Sequence, residues 1–541
     1  MRAAARFRLA VLLIAVIVPL RSPCAESFPL KVKLDSGSIL GTRPSGSTIA
    51  VFKGIPYARA PVGALRWKPP QPPRRWTGVR AADHFGRSCM QINRQTTIAG
   101  SRNATDVPSE DCLYLDVWTP AHKSSDRLPV MVWIYGGGFQ AGSSSNPQFD
   151  GEGLAAKGVV RVQMNYRLGI YGFLSHPDLD RESPHHVSGN YGLLDQIEAL
   201  KWVKRNIGAF GGDPQRVTIF GQSAGGGSVH ILSLSPLADG LFQRAISENG
   251  LLFSGDPFLQ ERSPSAYLSI GEAEVRNLEY LKKGGVSSLK RLRSMSADEI
   301  NALPRTPFPP AFFGPIQDGW LLPAGMAELY AQGRQSPVPF MAGWTSVYYP
   351  GLQISPASYR RWVQARFGSM ADEYLSLYPA STEQEAADAV EQGARDSYRC
   401  SLLLWARQRA RNDSRTYLYY FNHGLPGSAK EKFGAGAGAE IPYVMNSLAK
   451  IDGTFTDADH KIAAMMSSYW VNFATTGDPN GPGLPVWPGA DTPDGSPMMQ
   501  LGNDTGPIDV ASAGRLDFYR RFFNGRPPKC SFGQACSIEM Q

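Results

Sequence analysis

An α/β fold, with a mostly parallel central sheet, helices on both faces and large loop insertions, is predicted by three observations. β-like and helical runs alternate through the first half of the chain, the pattern of parallel strands joined by crossover helices. The apolar run Val217-Thr218-Ile219-Phe220 leads into Gly221-Gln222-Ser223-Ala224-Gly225, and a helix-period pattern follows through Val229, Ile231, Leu232 and Leu234. At 541 residues, 42% of them hydrophobic, the chain can bury a substantial core, while 56 glycines and 42 prolines suit an elaborate loop system. No internal repeat is present, and no linker is long enough to divide domains.

Taken in order, residues 1–25 have the form of a secretory signal. Arg2, Arg6 and Arg8 make a basic start, residues 9–20 an apolar stretch, and Ser22-Pro23-Cys24-Ala25 a small-residue cleavage zone. The apolar stretch is short for a bilayer span and no second one follows. Arg21-Ser22-Pro23 is a poor context for lipid attachment at Cys24. These features predict a secreted or periplasmic protein with no membrane span. Losing residues 1–24 removes four arginines and no acidic residue, which lowers the formal net charge from +8 to +4. That mild basicity argues against a nucleic-acid partner.

The main body of the chain is expected over residues 26–523. Residues 128–135 read as a buried strand ending in three glycines, and residues 158–165 as another. A helix is expected over 191–210 from Leu193, Leu194, Ile197, Leu200, Trp202 and Val203. The 217–220 strand comes next, then Leu241 to Ile246. Residues 255–310 are polar, helical and proline-punctuated, and read as an insertion able to line a gorge. Later strands are expected at 338–343 and 416–421, and a helix at about 463–473. Residues 524–541 read as a loose tail.

Six cysteines fit an oxidising destination. Cys89 and Cys112 bracket a loop of suitable size for a disulfide, Cys530 and Cys536 lie close enough to pair locally, and Cys400 is left as a buried thiol. No cysteine or histidine cluster has zinc spacing, so neither a metal nor a cofactor is expected. Sequons for N-glycosylation occur at Asn103, Asn412 and Asn503.

The pentapeptide around Ser223 carries the chemistry. In a G-x-S-x-G turn between strand and helix, only small residues fit beside the serine, and the hydroxyl projects above the sheet edge. The helix that follows brings its first amides near the reacting oxygen.

Ordered motifs along the chain resemble the type-B carboxylesterase family, which includes the cholinesterases, from about residue 28 to 523. They are Phe52-Lys53-Gly54-Ile55-Pro56-Tyr57-Ala58, Ser109-Glu110-Asp111-Cys112-Leu113-Tyr114-Leu115, Tyr135-Gly136-Gly137-Gly138-Phe139 and Asn165-Tyr166-Arg167-Leu168-Gly169. The segment 220–226 and, near the end, Tyr469-Trp470-Val471-Asn472-Phe473-Ala474 with Gly477-Asp478-Pro479-Asn480 complete the set. The resemblance implies an α/β-hydrolase fold, Ser223 as nucleophile, and Gly137, Gly138 and Ala224 as backbone donors to an oxyanion. It also implies that Cys112 pairs with Cys89. Aligned N–H groups stabilise charge that develops only in the transition state, so the implied roles agree with the physics.

The resemblance breaks at the proton relay. Gly343-Trp344-Thr345-Ser346-Val347-Tyr348-Tyr349 corresponds to the family's G-x-N-x-D-E-G, which puts Tyr348 where the acid belongs. Ala437-Gly438-Ala439-Glu440-Ile441-Pro442-Tyr443-Val444 corresponds to H-G-x-E-I-P-Y-V, which puts Ala437 at the histidine. Asn249 stands where the family usually carries a serine. A serine hydroxyl is a weak nucleophile without a base to take its proton. His84, His122, His176, His185, His186, His230, His423 and His460 read as structural or surface residues rather than a relocated base, and Glu440 matches a family residue outside the triad.

Three functions follow. The first is a secreted ester hydrolase or acyl transferase acting through Ser223 with a non-standard or impaired triad. The second is an inactive binding pseudoenzyme. The third is a cyclase or lyase that uses the same amides to polarise a carbonyl. The expected partner is a small-molecule ester or apolar carbonyl ligand; oligomeric state is left open. No tryptophan lies between Cys89 and Cys112, which disfavours a quaternary-ammonium substrate.

Overall fold

Ten strands form the main sheet, in the order β13-β12-β11-β10-β9-β8-β6-β7-β5-β3. In chain order they are β3 (Ala50–Pro56), β5 (Tyr114–Thr119), β6 (Leu128–Ile134), β7 (Val160–Met164), β8 (Gly212–Gln222), β9 (Arg244–Glu248), β10 (Phe340–Thr345), β11 (Thr416–Phe421), β12 (Met498–Leu501) and β13 (Gly506–Ile508). From β12 across to β7 every pairing is parallel. The edge pairings β12–β13, β5–β7 and β3–β5 are antiparallel. A separate small sheet joins β1 (Lys31–Lys33), β2 (Ser38–Leu40) and β4 (Val79–Ala81). The computed structural model describes residues 27–91, 107–250, 268–304, 313–346, 351–410, 414–427, 434–491 and 497–524. The leader, Cys530, Cys536, Asn103, Asn412 and Tyr348 lie outside the described residues.

Helices cover both faces because the central strands are apolar on both sides. Every residue of β7 and β11 is buried. On one face His230 of the helix Ala224–Leu234 stacks on Phe340 of β10 and packs against Trp405 of the helix Glu383–Ala410. On the other, Trp470 of the helix Asp457–Thr476 packs edge-on against Tyr419 of β11. Alternate strand residues face opposite ways, so Phe340 and Tyr419 belong to different layers.

Several boundaries differ from the sequence expectation, each for a local reason. β10 starts at Phe340 because Pro339 has no N–H to give to the ladder. The helix near 463–473 spans Asp457–Thr476: a capping box at Thr456 and Asp459 starts it, and Gly477 in the left-handed region stops it. The expected 191–210 helix is α-helical over Tyr191–Asn206 and tightens to a 3₁₀ turn over Ile207–Phe210. In the described part of the insertion lie the helices Ile270–Lys283, Leu289–Ser294 and Ala297–Asn301, the first and last opened by serine capping boxes. No helix among the described residues is long and apolar enough to cross a membrane. Cys89 and Cys112 form a disulfide, and Cys400 is a buried free thiol.

Candidate active site

Ser223 lies at the carboxyl end of β8, in the middle of the sheet, with φ 55° and ψ −121°. Such a conformation is strained for any residue with a side chain and holds only where the surroundings impose it. They do so through both flanking glycines: a Cβ on Gly221 would strike the Ile134 carbonyl oxygen and Gly225, and one on Gly225 would strike the same oxygen. The Ser223 N–H donates to the Glu248 carbonyl (2.8 Å), and the Ser223 carbonyl accepts from the Gly227 N–H (2.8 Å). The turn is therefore clamped to β9 on one side and to its own helix on the other. Ser223 is half-buried, and its hydroxyl makes no hydrogen bond to any described residue.

The glycine loop after β6 runs alongside. Gly136 must be glycine because a Cβ there would sit 2.5 Å from the Gln222 carbonyl oxygen and 3.0 Å from Ser223 Cβ. Gly137 has φ 111°, and a Cβ would collide with the Ala141 carbonyl. The N–H groups of Gly137, Gly138 and Ala224 are given to no acceptor among the described residues. The motif at 165–169 buttresses this loop. Tyr166 stacks on Tyr135 and donates its hydroxyl to the Tyr135 carbonyl (2.7 Å). Asn165 accepts from the Ser144 N–H (2.8 Å), and Arg167 forms a buried two-point ion pair with Asp195 (2.8 and 2.7 Å). Tyr57, from the first motif, donates to the Asn165 carbonyl (2.6 Å).

The opposite side of the site is built differently. Ala437 is exposed in the turn ahead of the short helix Ile441–Val444. Asn249 adopts the left-handed conformation (φ 47°), donates Nδ2 to Thr345 Oγ1 (2.8 Å) and accepts the Thr345 N–H on Oδ1 (3.0 Å). It thus ties the end of β9 to the end of β10, three residues ahead of position 348 in the sequence. The histidines have other positions. His230 is buried against the Tyr330 hydroxyl (2.9 Å), with burial and the Arg409 charge holding it well below its ordinary range. His423 lies between Asn503 Oδ1 (2.6 Å) and Asp459 Oδ1 (2.8 Å). Asn503 is oriented by Nδ2, which donates to the Asn422 carbonyl (3.1 Å). Asp459 is held below the usual carboxylate range by bonds from Thr456, His423 and Tyr443, which outweigh its burial. His176 caps a helix by accepting the Asp178 N–H, and His185 stacks on Trp320.

Sequence reasoning missed a pair of buried acids. Glu248 and Glu440 are both fully buried, and burial pushes both up, Glu440 to about 8 and Glu248 well above its ordinary value. Only the apolar Ala245 and Ile246 earlier in β9 hinted at an interior carboxyl. Among the described residues no group of three or more His, Cys, Asp or Glu is placed to hold a metal.

The parallel sheet, with a serine turn at the carboxyl end of a central strand, defines an α/β-hydrolase. The chain belongs to the carboxylesterase family, whose model matches residues 29–353 and 353–518. It is 37% identical over 491 residues to the fumonisin B1 esterase of Sphingopyxis macrogoltabida, covering 86% of this chain and 87% of that protein. The cocaine esterase of Homo sapiens is 34% identical over 520 residues, covering 90% and 89%. The crystal structure of carboxylesterase EST55 from Geobacillus stearothermophilus superposes with a TM-score of 0.73 at 31% identity, covering 91% of this chain and 99% of that one.

Proposed function

We propose that this protein is a secreted or periplasmic hydrolase of small carboxylic esters that works through Ser223 with an impaired proton relay. The observation that carries the reading is the elbow itself: a serine held at positive φ between two obligate glycines, beside three N–H groups that no described residue accepts. In this reading Ser223 Oγ attacks the ester carbonyl carbon and gives its proton to solvent, and the N–H groups of Gly137, Gly138 and Ala224 bind the oxygen as it becomes negative. The C–O bond to the alcohol breaks with a proton from water taken up by the leaving oxygen, and a water then cleaves the acyl-serine and restores the hydroxyl. Donors fixed in advance pay no reorganisation as the charge forms, and one such donor is worth about 3 kcal/mol. With tyrosine at 348 and alanine at 437, no imidazole poised by a carboxylate takes the serine proton. Losing the histidine of a serine-hydrolase triad costs on the order of 10⁶ in turnover, yet binding and the oxyanion donors still leave catalysis over water.

The expected result is slow turnover of short p-nitrophenyl esters that disappears in Ser223→Ala, together with fluorophosphonate labelling of Ser223. Equal rates for the wild type and Ser223→Ala would sink the hydrolase reading and leave a binding protein on the same scaffold.

A further inference from the structure

Behind the elbow, one lateral row of the sheet is polar where its neighbours are apolar. Gln222 of β8 pairs with Glu248 of β9, Glu248 with Gly343 of β10, and Gly343 with Tyr419 of β11. Paired residues of parallel strands point to the same face, so this row presents Gln222, Glu248 and Tyr419 together. Gly343 has no side chain because the Tyr419 ring occupies the place its Cβ would take, leaning toward Glu248. Glu440, at the start of the helix Ile441–Val444, supplies the next carboxyl, and Trp470 closes the group by donating Nε1 to Glu248 Oε1 (2.8 Å). All five side chains are buried, at 1% exposure or less.

The hydrogen-bond count in this cluster does not balance for charged acids. Among the described residues nothing donates to Gln222 Oε1, Glu248 Oε2 or either oxygen of Glu440, and none partners the Tyr419 hydroxyl. The N–H groups of Gly438 and of Glu440 itself lie close enough to offset part of the Glu440 burial cost without completing a bond. Arg161 of β7 is the cation whose field reaches Glu248, but it does not bond to either acid. Its guanidinium donates to the Val162 carbonyl and to Met445 Sδ (3.7 Å) and lies over the Phe220 ring, 4.8 Å from the centroid. Two ionised carboxylates here would be buried charges with no bonded counter-charge, which is among the costliest arrangements in a protein. Protonating them removes the charge and gives each acid an O–H to donate. An internal water could donate to an oxygen but could not neutralise it.

We propose that Glu248 and Glu440 are two protonated positioning residues that keep the interior behind Ser223 free of negative charge. The pair touches no reacting atom. Glu248 is joined to the serine through its backbone carbonyl, and Gln222 Oε1 flanks the same side of Gly136 as Ser223 Cβ. An anion there would oppose the negative charge that forms on the substrate oxygen, through a low-dielectric interior. The neutral pair leaves the oxyanion donors unopposed. Its ionisation at alkaline pH, opposed by burial and eased by the Trp470 N–H and the Arg161 charge at Glu248 and by the Gly438 and Glu440 N–H groups at Glu440, weakens them.

This inference rests on the Ser223 reading, so its test has two readouts. Glu440→Gln reproduces the neutral carboxyl in shape and fixes it against ionisation. The ratio of Ser223 fluorophosphonate labelling rates, Glu440→Gln over wild type, is expected near one at pH 6.5 and to rise to about ten at pH 9.5, one pKa unit's worth of differential interaction. Glu248→Gln is expected to act in the same direction. A ratio near one at both pH values overturns the proposal. So does labelling more than about tenfold slower in a folded Glu440→Gln at pH 6.5, which would make the carboxylate a base. If neither protein labels, the Ser223 reading fails and the melting temperature decides on the pair. An acid whose folded pKa is raised stabilises fully at low pH and loses that contribution as pH rises toward about 8. The wild type should then lose melting temperature between pH 6 and 9 more steeply than Glu440→Gln; parallel curves reject the pair.

Discussion

The two halves of the site are built to different standards. On the nucleophile side, Gly221, Gly225, Gly136 and Gly137 each occupy a space too small for a Cβ, and Tyr135, Asn165, Tyr166 and Arg167 brace them with buried hydrogen bonds. On the proton-relay side, position 437 is an exposed alanine, and one asparagine latch, Asn249 to Thr345, defines the strand ends. A backbone-built oxyanion site is enforced by packing at many points, so it resists piecemeal change. A side-chain relay depends on two residue identities and can be altered without disturbing the fold. That is why family membership is plain in the chain even though, under the proposed function, positions 348 and 437 lack the relay residues.

Variants that rebuild or damage one half test this contrast. The largest effect is expected from Ala437→His with Tyr348→Glu, which should raise kcat/KM on p-nitrophenyl acetate by at least about a hundredfold if the nucleophile side is intact. No gain in the folded double variant would mean that the two halves are not independent. Gly225→Ala should be next. The new Cβ meets the Ile134 carbonyl, and overpacking of this kind costs about 1–3 kcal/mol, read as a fall in melting temperature together with loss of Ser223 labelling. The smallest change belongs to Asn249→Ala, which removes two buried hydrogen bonds and a residue suited to positive φ. About 2 kcal/mol of stability should be lost in denaturant titration, while Ser223 labelling changes less than in Gly225→Ala.

Legibility in the sequence followed how local the governing physics is. β11 matches its apolar run residue for residue because a strand buried on both faces is a continuous apolar segment. The elbow was equally readable, since its glycines answer to a steric demand within five residues. The long helix Glu383–Ala410 escaped notice: its first half is largely polar and gains its burial from tertiary neighbours. The three-residue strands of the small sheet are too short to show a period. Glu248 and Glu440 were the deepest miss, because a carboxyl in a sequence reads as a solvated group until the sheet register places it indoors.

The Asn503 amide lies in a sequon yet is fully engaged: Nδ2 on the Asn422 carbonyl, Oδ1 facing the His423 ring, whose other nitrogen meets Asp459. A sugar attached to that nitrogen replaces one of its two hydrogens, so the bond to the carbonyl persists only where the remaining hydrogen keeps that direction. Chains decorated at Asn503 in a glycosylating expression host would therefore differ from undecorated ones at the carboxyl end of β11, and a bacterial host is the better source of homogeneous protein.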